Sequence, residues 1–209
     1  MTVSLTSLKQ SLHAGLTAVA QGADPALIYH SNAQLWASHP FNQLQGLEAI
    51  RRVWSQLRYA LPDMQRRDQI FVAGNSKADA RMPDDLEGRV LVASMGHYQG
   101  SFVNDLCGIP ATHGVVNLRV CEVHHLVEGK IAQSYVMVDL LDLRGQAGCW
   151  PIAPSLGAEG MWSGPATNDG VRLHTSDPAG GQTAFDTVIA MHNALGSFDG
   201  KSRDSMRHG

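Results

Sequence analysis

The chain has 209 residues, of which 44% are hydrophobic and 17% charged, so it can build a substantial core and is not broadly disordered. Its formal net charge is -3 and its basic residues form no stripe, which argues against a nucleic-acid partner. No apolar run approaches a membrane-spanning length, and the N-terminus lacks a signal-peptide pattern. We therefore expect a cytoplasmic protein without a membrane partner.

The first third of the chain is predicted to be helical. Apolar residues at three- and four-residue steps predict helices over residues 5–19 and 47–61, the latter stopped by Pro62. An Asp-Pro pair, which is typical of a helix N-terminus, predicts a short helix over residues 24–32 between them. Residues 34–38, just before a proline, are expected to be extended.

The middle of the chain changes to short apolar runs that are typical of strands. Four strands are predicted, at residues 70–73, 90–102, 115–127 and 131–143. Glu128-Gly129 predicts a tight hairpin turn between the last two. Helices followed by long antiparallel strands indicate an α+β fold, in which the N-terminal helices cover one face of a curved sheet.

The last hairpin allows its two faces to be predicted. If Val127 is opposite Lys130, then Val123 is opposite Ser134. One face then includes Glu122, His124, Tyr135, Met137 and Asp139, and the other includes Arg119, Cys121, Val123, His125, Val136 and Val138. A single β-bulge would exchange these assignments on one strand.

Composition changes again after Trp150. Prolines and glycines without periodicity predict a linker over residues 151–183, so the main domain is expected to span residues 1–150. Helical spacing returns from residue 184, and residues 184–209 are predicted to be a helical segment. Its similarity to the first helix favours the truncated start of a second, similar domain over a helix that docks on the first domain or on a partner.

Asp139 is the strongest candidate for a catalytic residue. It is a carboxylate within an apolar run, where burial would raise its pKa for proton transfer, although this setting alone favours a structural role. His97 lies between glycines in a predicted strand, which often marks a close approach of a ligand. Trp36 and His39, beside Pro40, are either core or pocket residues.

Metal and disulfide chemistry are not indicated. His124 and His125 are neighbours on a predicted strand and would point to opposite faces, so they could not share a metal ion. The three cysteines are widely spaced and include no CxxC pair. We expect no metal and no disulfide.

The ordered set of motifs resembles the SnoaL-like polyketide cyclases of the nuclear transport factor 2-like superfamily. It comprises Trp36 to Asn42, the segment Gly96 to Gly100, and a Gly-Lys-Ile hairpin followed by Asp139 and Gln146-Ala147-Gly148. The resemblance implies a cone of helices inside a bent antiparallel sheet, with a deep apolar pocket. It also implies Asp139 as general acid/base, without a cofactor. Candidates for its polar and substrate-binding neighbours are His97, Trp36, His39, Tyr98, Glu122, His124 and Tyr135.

Two functions are compatible with this pattern. The first is a cofactor-independent cyclase, isomerase or hydrolase that acts on a small hydrophobic carbonyl compound, with Asp139 assisted by His97. The second is a module that binds a small molecule or a protein partner without catalysis. A pocket filled by its own side chains, with Asp139 paired to Arg119 or Arg144, would favour the second. A homodimer formed through the outer face of the sheet is also expected.

Overall fold

The fold was obtained as a computed structural model that describes residues 4–77, 87–153, 164–167, 169–174, 178–197 and 200. The helices are α1 (Leu5–Ala20), α2 (Leu47–Ala60), α3 (Leu140–Gln146) and α4 (Pro178–Gly196), with a 3₁₀ turn at Pro25–Leu27. The strands are β1 (Tyr29–Ala37), β2 (Gln43–Gln45), β3 (Gln65–Asn75), β4 (Val90–Ser101), β5 (Val115–Val127) and β6 (Lys130–Val138). Two compact units are present, Met1–Leu173 and His174–Gly209.

The first unit is an α+β fold built on one six-stranded sheet, in the order β2-β1-β6-β5-β4-β3. The predicted fold class is confirmed. Four of the five strand pairings are antiparallel, as expected, whereas β1 and β6 pair in parallel. A parallel pairing requires a long connection between its two strands. Here that connection contains α2 and the strands β2 to β5.

Helices α1 and α2 bury their apolar stripes against the inner face of the sheet. The hydroxyl of Ser4 accepts a hydrogen bond from the backbone of Ser7 and caps the start of α1. Leu16 of α1 and Ile50 of α2 are almost fully buried, together with Phe71 and Leu118 of the sheet. This packing forms one continuous core on the inner side.

The predicted helix over residues 24–32 is wrong beyond its first turn. Asp24 caps as expected, accepting a hydrogen bond from the backbone of Ala26, but only a 3₁₀ turn follows. Tyr29, Ala33 and Leu35 are instead buried inner-face residues of β1. Hydrogen bonding of β1 to β6, which is distant in sequence, overrides the local helix signal.

A β-bulge changes the predicted faces of the last hairpin. His125 is opposite Gln133 and Leu126 is opposite Ile131, so Ala132 has no partner. Beyond this point the register moves by one residue, and Val123 is opposite Tyr135 rather than Ser134. The prediction was therefore wrong for β6: Ser134, Val136 and Val138 face inward with Glu122, while Tyr135 and Met137 face outward.

The first unit extends past the predicted boundary at residue 150. The backbone N–H of Phe71 donates to the oxygen of Gly170 at 2.8 Å, and Arg172 donates to Phe71 at 2.9 Å. Val171 thus forms a parallel bridge with the edge strand β3. Part of the predicted linker belongs to the first unit, and residues 154–163 lie outside the described residues.

The second unit contains α4, which begins before the predicted helical segment at residue 184. Phe185, Val188, Met191 and Leu195 of this helix are all substantially exposed. The proposed second copy of the domain stays a prediction. Within the described part of the chain, no helix combines the length and the apolar character needed to cross a membrane.

Candidate functional site

The inner face of the sheet holds a buried polar cluster centred on Glu122. The hydroxyl of Tyr98 donates to Glu122 Oε1 at 2.6 Å, and the hydroxyl of Ser94 donates to Oε2 at 2.9 Å. Arg66 Nη2 lies 2.6 Å from the same Oε2. Three donors from the described residues therefore converge on one carboxylate.

The cluster continues from Arg66 to Asp68 and His13. Arg66 Nη2 is 2.8 Å from Asp68 Oδ1, and His13 Nε2 is 3.2 Å from Asp68 Oδ2. The side chains of Arg66, Glu122 and Asp68 are 1%, 2% and 5% exposed. Charges this deeply buried are tolerated only when they are paired.

His124 borders the cluster and is fully buried. Its Nδ1 lies 2.8 Å from the hydroxyl of Ser134, and its Nε2 lies 3.6 Å from Glu122 Oε2. Of the substrate-binding residues predicted from the sequence, His124, Glu122 and Tyr98 are thus brought together in one inner cluster.

Electrostatics within the cluster shift the pKa of Glu122 and that of Tyr98 in opposite directions. Burial by itself raises the pKa of Glu122, but the adjacent Arg66, helped by His124, holds that pKa well below its usual range. Burial and the charge of Glu122 raise the pKa of Tyr98 well above its usual range. Near neutral pH, Glu122 is therefore an ionised acceptor and Tyr98 a protonated donor.

Glu122 and Tyr98 also line a cavity between α2 and the sheet, which we call the inner cavity. The other lining residues are Tyr29, Leu35, Ala37, Phe41, Val53, Trp54, Leu57, Val136 and Val138. Its free space is about 30 Å³, enough for one or two water molecules. The deep pocket expected from the resemblance is thus largely filled by the protein's own side chains.

A larger concavity, the outer groove, lies on the opposite face of the sheet. The rings of Trp36 and Tyr135 stack there at 5.0 Å, with an interplanar angle of 10°. The groove encloses about 570 Å³ and is also lined by Ala37, Ser38, Ile70, Ala93, Ser94, Met95, Cys121, Glu122, Val123, Val136 and Met137. The bulge in β6 separates Tyr135 from Glu122, so the predicted substrate-binding residues lie on two faces.

Asp139 lies at neither cavity. Strand β6 ends at Val138, and Asp139 is the N-cap of α3, accepting a hydrogen bond from the backbone of Asp142 at 2.9 Å. Its Oδ2 forms an ion pair with Arg119 Nε at 3.3 Å, and its side chain is 33% exposed. This arrangement is the structural alternative considered for Asp139, and its catalytic role stays a prediction.

The two remaining predicted site residues are also outside the inner cavity. His97 is paired with Arg119 across β4 and β5, and burial followed by the charge of Arg119 lowers its pKa. His39 is exposed in the turn between β1 and β2. His97 and Asp139 therefore share Arg119 as a neighbour.

Arg66 and Ser94 were missed by the sequence analysis. The strand containing Arg66 was predicted to begin at Ile70, but β3 begins at Gln65. Arg66 and Asp68 are two residues apart, so a strand through both would place them on the same face, and this was the available sequence signal. A register shift between Asp68 and Ile70 interrupts the alternation of faces along β3. Within the described residues, no group of three or more His, Cys, Asp or Glu is arranged to hold a metal ion.

The fold of the first unit is shared with several solved structures. AclR, a candidate hydroxylase from Streptomyces galilaeus, is 15% identical over 72% of this chain and 87% of its own, with a TM-score of 0.53. IdmH, a candidate polyketide cyclase from Streptomyces antibioticus, is 17% identical over 67% and 98%, with a TM-score of 0.53. A candidate polyketide cyclase from Acidithiobacillus ferrooxidans is 15% identical over 72% and 99%, with a TM-score of 0.51.

These similarities concern the fold. No protein-family model and no curated protein matches the sequence. The resemblance to SnoaL-like polyketide cyclases is confirmed at the level of the fold. At such low identity, function has to be argued from the site itself.

Proposed function

We propose that this chain binds a small, mainly hydrophobic molecule in the inner cavity. The observation that supports this is Glu122, a buried and ionised carboxylate in the wall of an otherwise apolar and aromatic cavity. Packing alone would be served as well by a hydrophobic residue, because a buried ion pair adds little net stability. An apolar cavity with a few convergent polar groups is the usual composition of a ligand site.

The surroundings of the carboxylates favour binding over catalysis. Three donors already occupy Glu122, and Asp139 is engaged with α3 and Arg119. The limited free space selects a ligand of a few heavy atoms or one that displaces the side chain of a lining residue.

A cofactor-independent acid/base enzyme is the second candidate. It would be of the cyclase, isomerase or hydrolase type and act on a small hydrophobic carbonyl compound. The observation that favours it is the 2.6 Å contact of Tyr98 with Glu122, which places a protonated donor beside an ionised acceptor at the cavity wall. Proton abstraction next to a carbonyl needs such a pair. The fold is also that of candidate polyketide cyclases.

One experiment separates the two functions, with acetone, a ketone of four heavy atoms, in D₂O as the probe. Saturation-transfer NMR should detect its binding to the wild-type protein. Val53→Leu adds a methylene group at the inner cavity and should abolish the signal. Tyr135→Glu changes the outer groove and should leave it intact. No binding to the wild type, or binding that survives Val53→Leu, would contradict the proposal.

The same samples report on catalysis through exchange of the α protons for deuterium. If the chain is an enzyme, exchange should exceed that in buffer, and Glu122→Gln should slow it by about 10²–10⁴. Asp139→Asn is the matched control and should exchange like the wild type. Binding without exchange would reject the enzymatic candidate, and loss of exchange in Asp139→Asn alone would restore Asp139 as the catalytic residue.

We further propose that the outer groove is where two copies of the chain meet. Tyr135, Met137 and Val123 are exposed by 52%, 63% and 38%, an apolar surface of the kind that marks interfaces. Among the described residues, its lining carries no charge apart from Glu122, whose carboxylate is buried on the inner side. The lining of the groove can therefore pack on a copy of itself without like charges meeting.

Tyr135→Glu should weaken self-association by at least about thirtyfold, because it buries a charge in an apolar contact. Tyr59, which is 65% exposed on α2, provides the control Tyr59→Glu, and this variant should associate like the wild type. Sedimentation velocity over a concentration series measures both. A monomeric wild type, or equal dissociation by the two variants, would reject the interface.

A further inference from the structure

A short segment of the first unit, Asp169–Leu173, crosses the edge of the sheet, and we call it the strap. Two backbone hydrogen bonds to Phe71 of β3, at 2.8 Å and 2.9 Å, form a parallel bridge at Val171. The carbonyl of Leu173 accepts a hydrogen bond from the side chain of Gln10 on α1 at 3.2 Å. Val171 and Leu173 also pack against the hydrophobic core. The strap therefore connects the edge strand β3 to α1.

Lys9 lies beside the point where the strap meets α1. It is only 3% exposed, although lysine is almost never this deeply covered and normally keeps its ammonium group in water. The next residue, Gln10, binds the strap. Burial, and after it the charge of Arg172 in the strap, lower the pKa of Lys9. The strap is thus in a position to cover this amine.

The strap is attached more weakly than the strands beside it. It contributes a bridge of one residue pair, whereas β3 pairs with β4 from Gln65 to Asn75. An edge segment with few backbone hydrogen bonds belongs to the part of a fold that opens with the lowest free energy. Because β4 would still hold β3 in place, the strap can leave the edge while the sheet stays intact.

We propose that the strap opens locally, without unfolding of the sheet, and thereby controls the access of amine-reactive molecules to Lys9. In the closed form the amine is covered, and in the open form it is exposed to solvent. Lys9 is then a gated site for acylation, separate from the inner cavity and from the outer groove. This inference does not depend on the proposed function.

Hydrogen exchange of the wild-type chain tests the local opening without any variant. The backbone N–H of Phe71 donates to the strap, whereas that of Ile131, a fully buried residue of β6, donates to Ile28 at 2.7 Å. The Phe71 amide should have a protection factor at least about tenfold lower than that of Ile131, and low urea should accelerate only Ile131. Equal protection and equal urea dependence would show that the strap leaves only when the whole unit unfolds.

Gly170→Ala is the variant that should release the strap. A Cβ atom at this position would lie 2.2 Å from the backbone oxygen of Gln69, so the segment has to shift. Gly74→Ala on β3 is the matched control, because a Cβ there would meet no described atom within 4 Å outside its chain neighbours.

Acetylation by N-acetoxysuccinimide, followed by peptide mass spectrometry, measures access to Lys9. The amine attacks the acetyl carbon, N-hydroxysuccinimide leaves and the nitrogen loses one proton, so an amide forms. In the wild type, Lys9 should react at least about tenfold more slowly than the exposed Lys77. Gly170→Ala should accelerate Lys9 at least about tenfold and leave Lys77 unchanged, while Gly74→Ala should behave like the wild type. A Lys9 rate equal to that of Lys77 in the wild type, or unchanged in Gly170→Ala, would overturn the inference.

Discussion

Replacing Arg66 with methionine should lower the free energy of unfolding by about 3–5 kcal/mol, the cost of breaking a buried ion pair by removing one partner. Methionine has a similar length, so the loss is mainly electrostatic. It leaves Glu122 and Asp68 buried, without the cation that both contact at under 3 Å. Urea denaturation with a two-state analysis measures the change.

The neighbouring arginine provides the control. Arg67 is exposed on the other face of β3, so Arg67→Met should change the free energy of unfolding by no more than about 0.5 kcal/mol. Similar small changes in both variants would show that the buried cluster does not depend on Arg66. The ionised state of Glu122, on which the proposed function depends, would then need another explanation.

Stability should fall at acidic pH because of Glu122. The folded-state pKa of this carboxyl lies well below its unfolded value of 4.5, mainly because Arg66 overcomes the opposing effect of burial. The unfolded chain therefore takes up the proton first as the pH falls. The contribution of Glu122 is complete above about pH 4.5 and is lost as the pH falls towards the folded-state value.

Urea denaturation between about pH 6 and pH 3 should show a steeper loss for the wild type than for Glu122→Gln, which has no proton to take up. Asp24 is the matched control, since its hydrogen bond to Arg51 lowers its pKa but its side chain is 53% exposed. Asp24→Asn should keep nearly the wild-type slope. Parallel slopes for the wild type and Glu122→Gln would refute the effect.

The elements that depend on local sequence were predictable. The apolar stripe of α2 and the proline after it place this helix at Leu47–Ala60, close to the prediction. Glu128 and Gly129 both have positive φ, of 49° and 80°, as the predicted two-residue turn requires. Each of these features is decided by neighbours within a few residues.

The bulge at Ala132 was not predictable in the same way. Tyr135 and Met137 are apolar and would suit either face of β6, so the alternation of side chains does not reveal an extra residue. The consequence is large, because the bulge moves Tyr135 from the predicted pocket to the outer groove. The first part of β1, up to residue 32, was predicted to be helical for a related reason, since its pairing with β6 cannot be read from local sequence, whereas the extended prediction for residues 34–38 agrees with the strand.

The sequence by itself determined the α+β class, the helix and turn boundaries that local signals encode, and the placement of Glu122 and His124 on the same face of their strand. Only the tertiary structure decided that Arg66, from another strand, is the partner of Glu122, and that Asp139 caps a helix beside Arg119. Strand register and long-range ion pairs depend on packing between distant segments, which local periodicity does not specify.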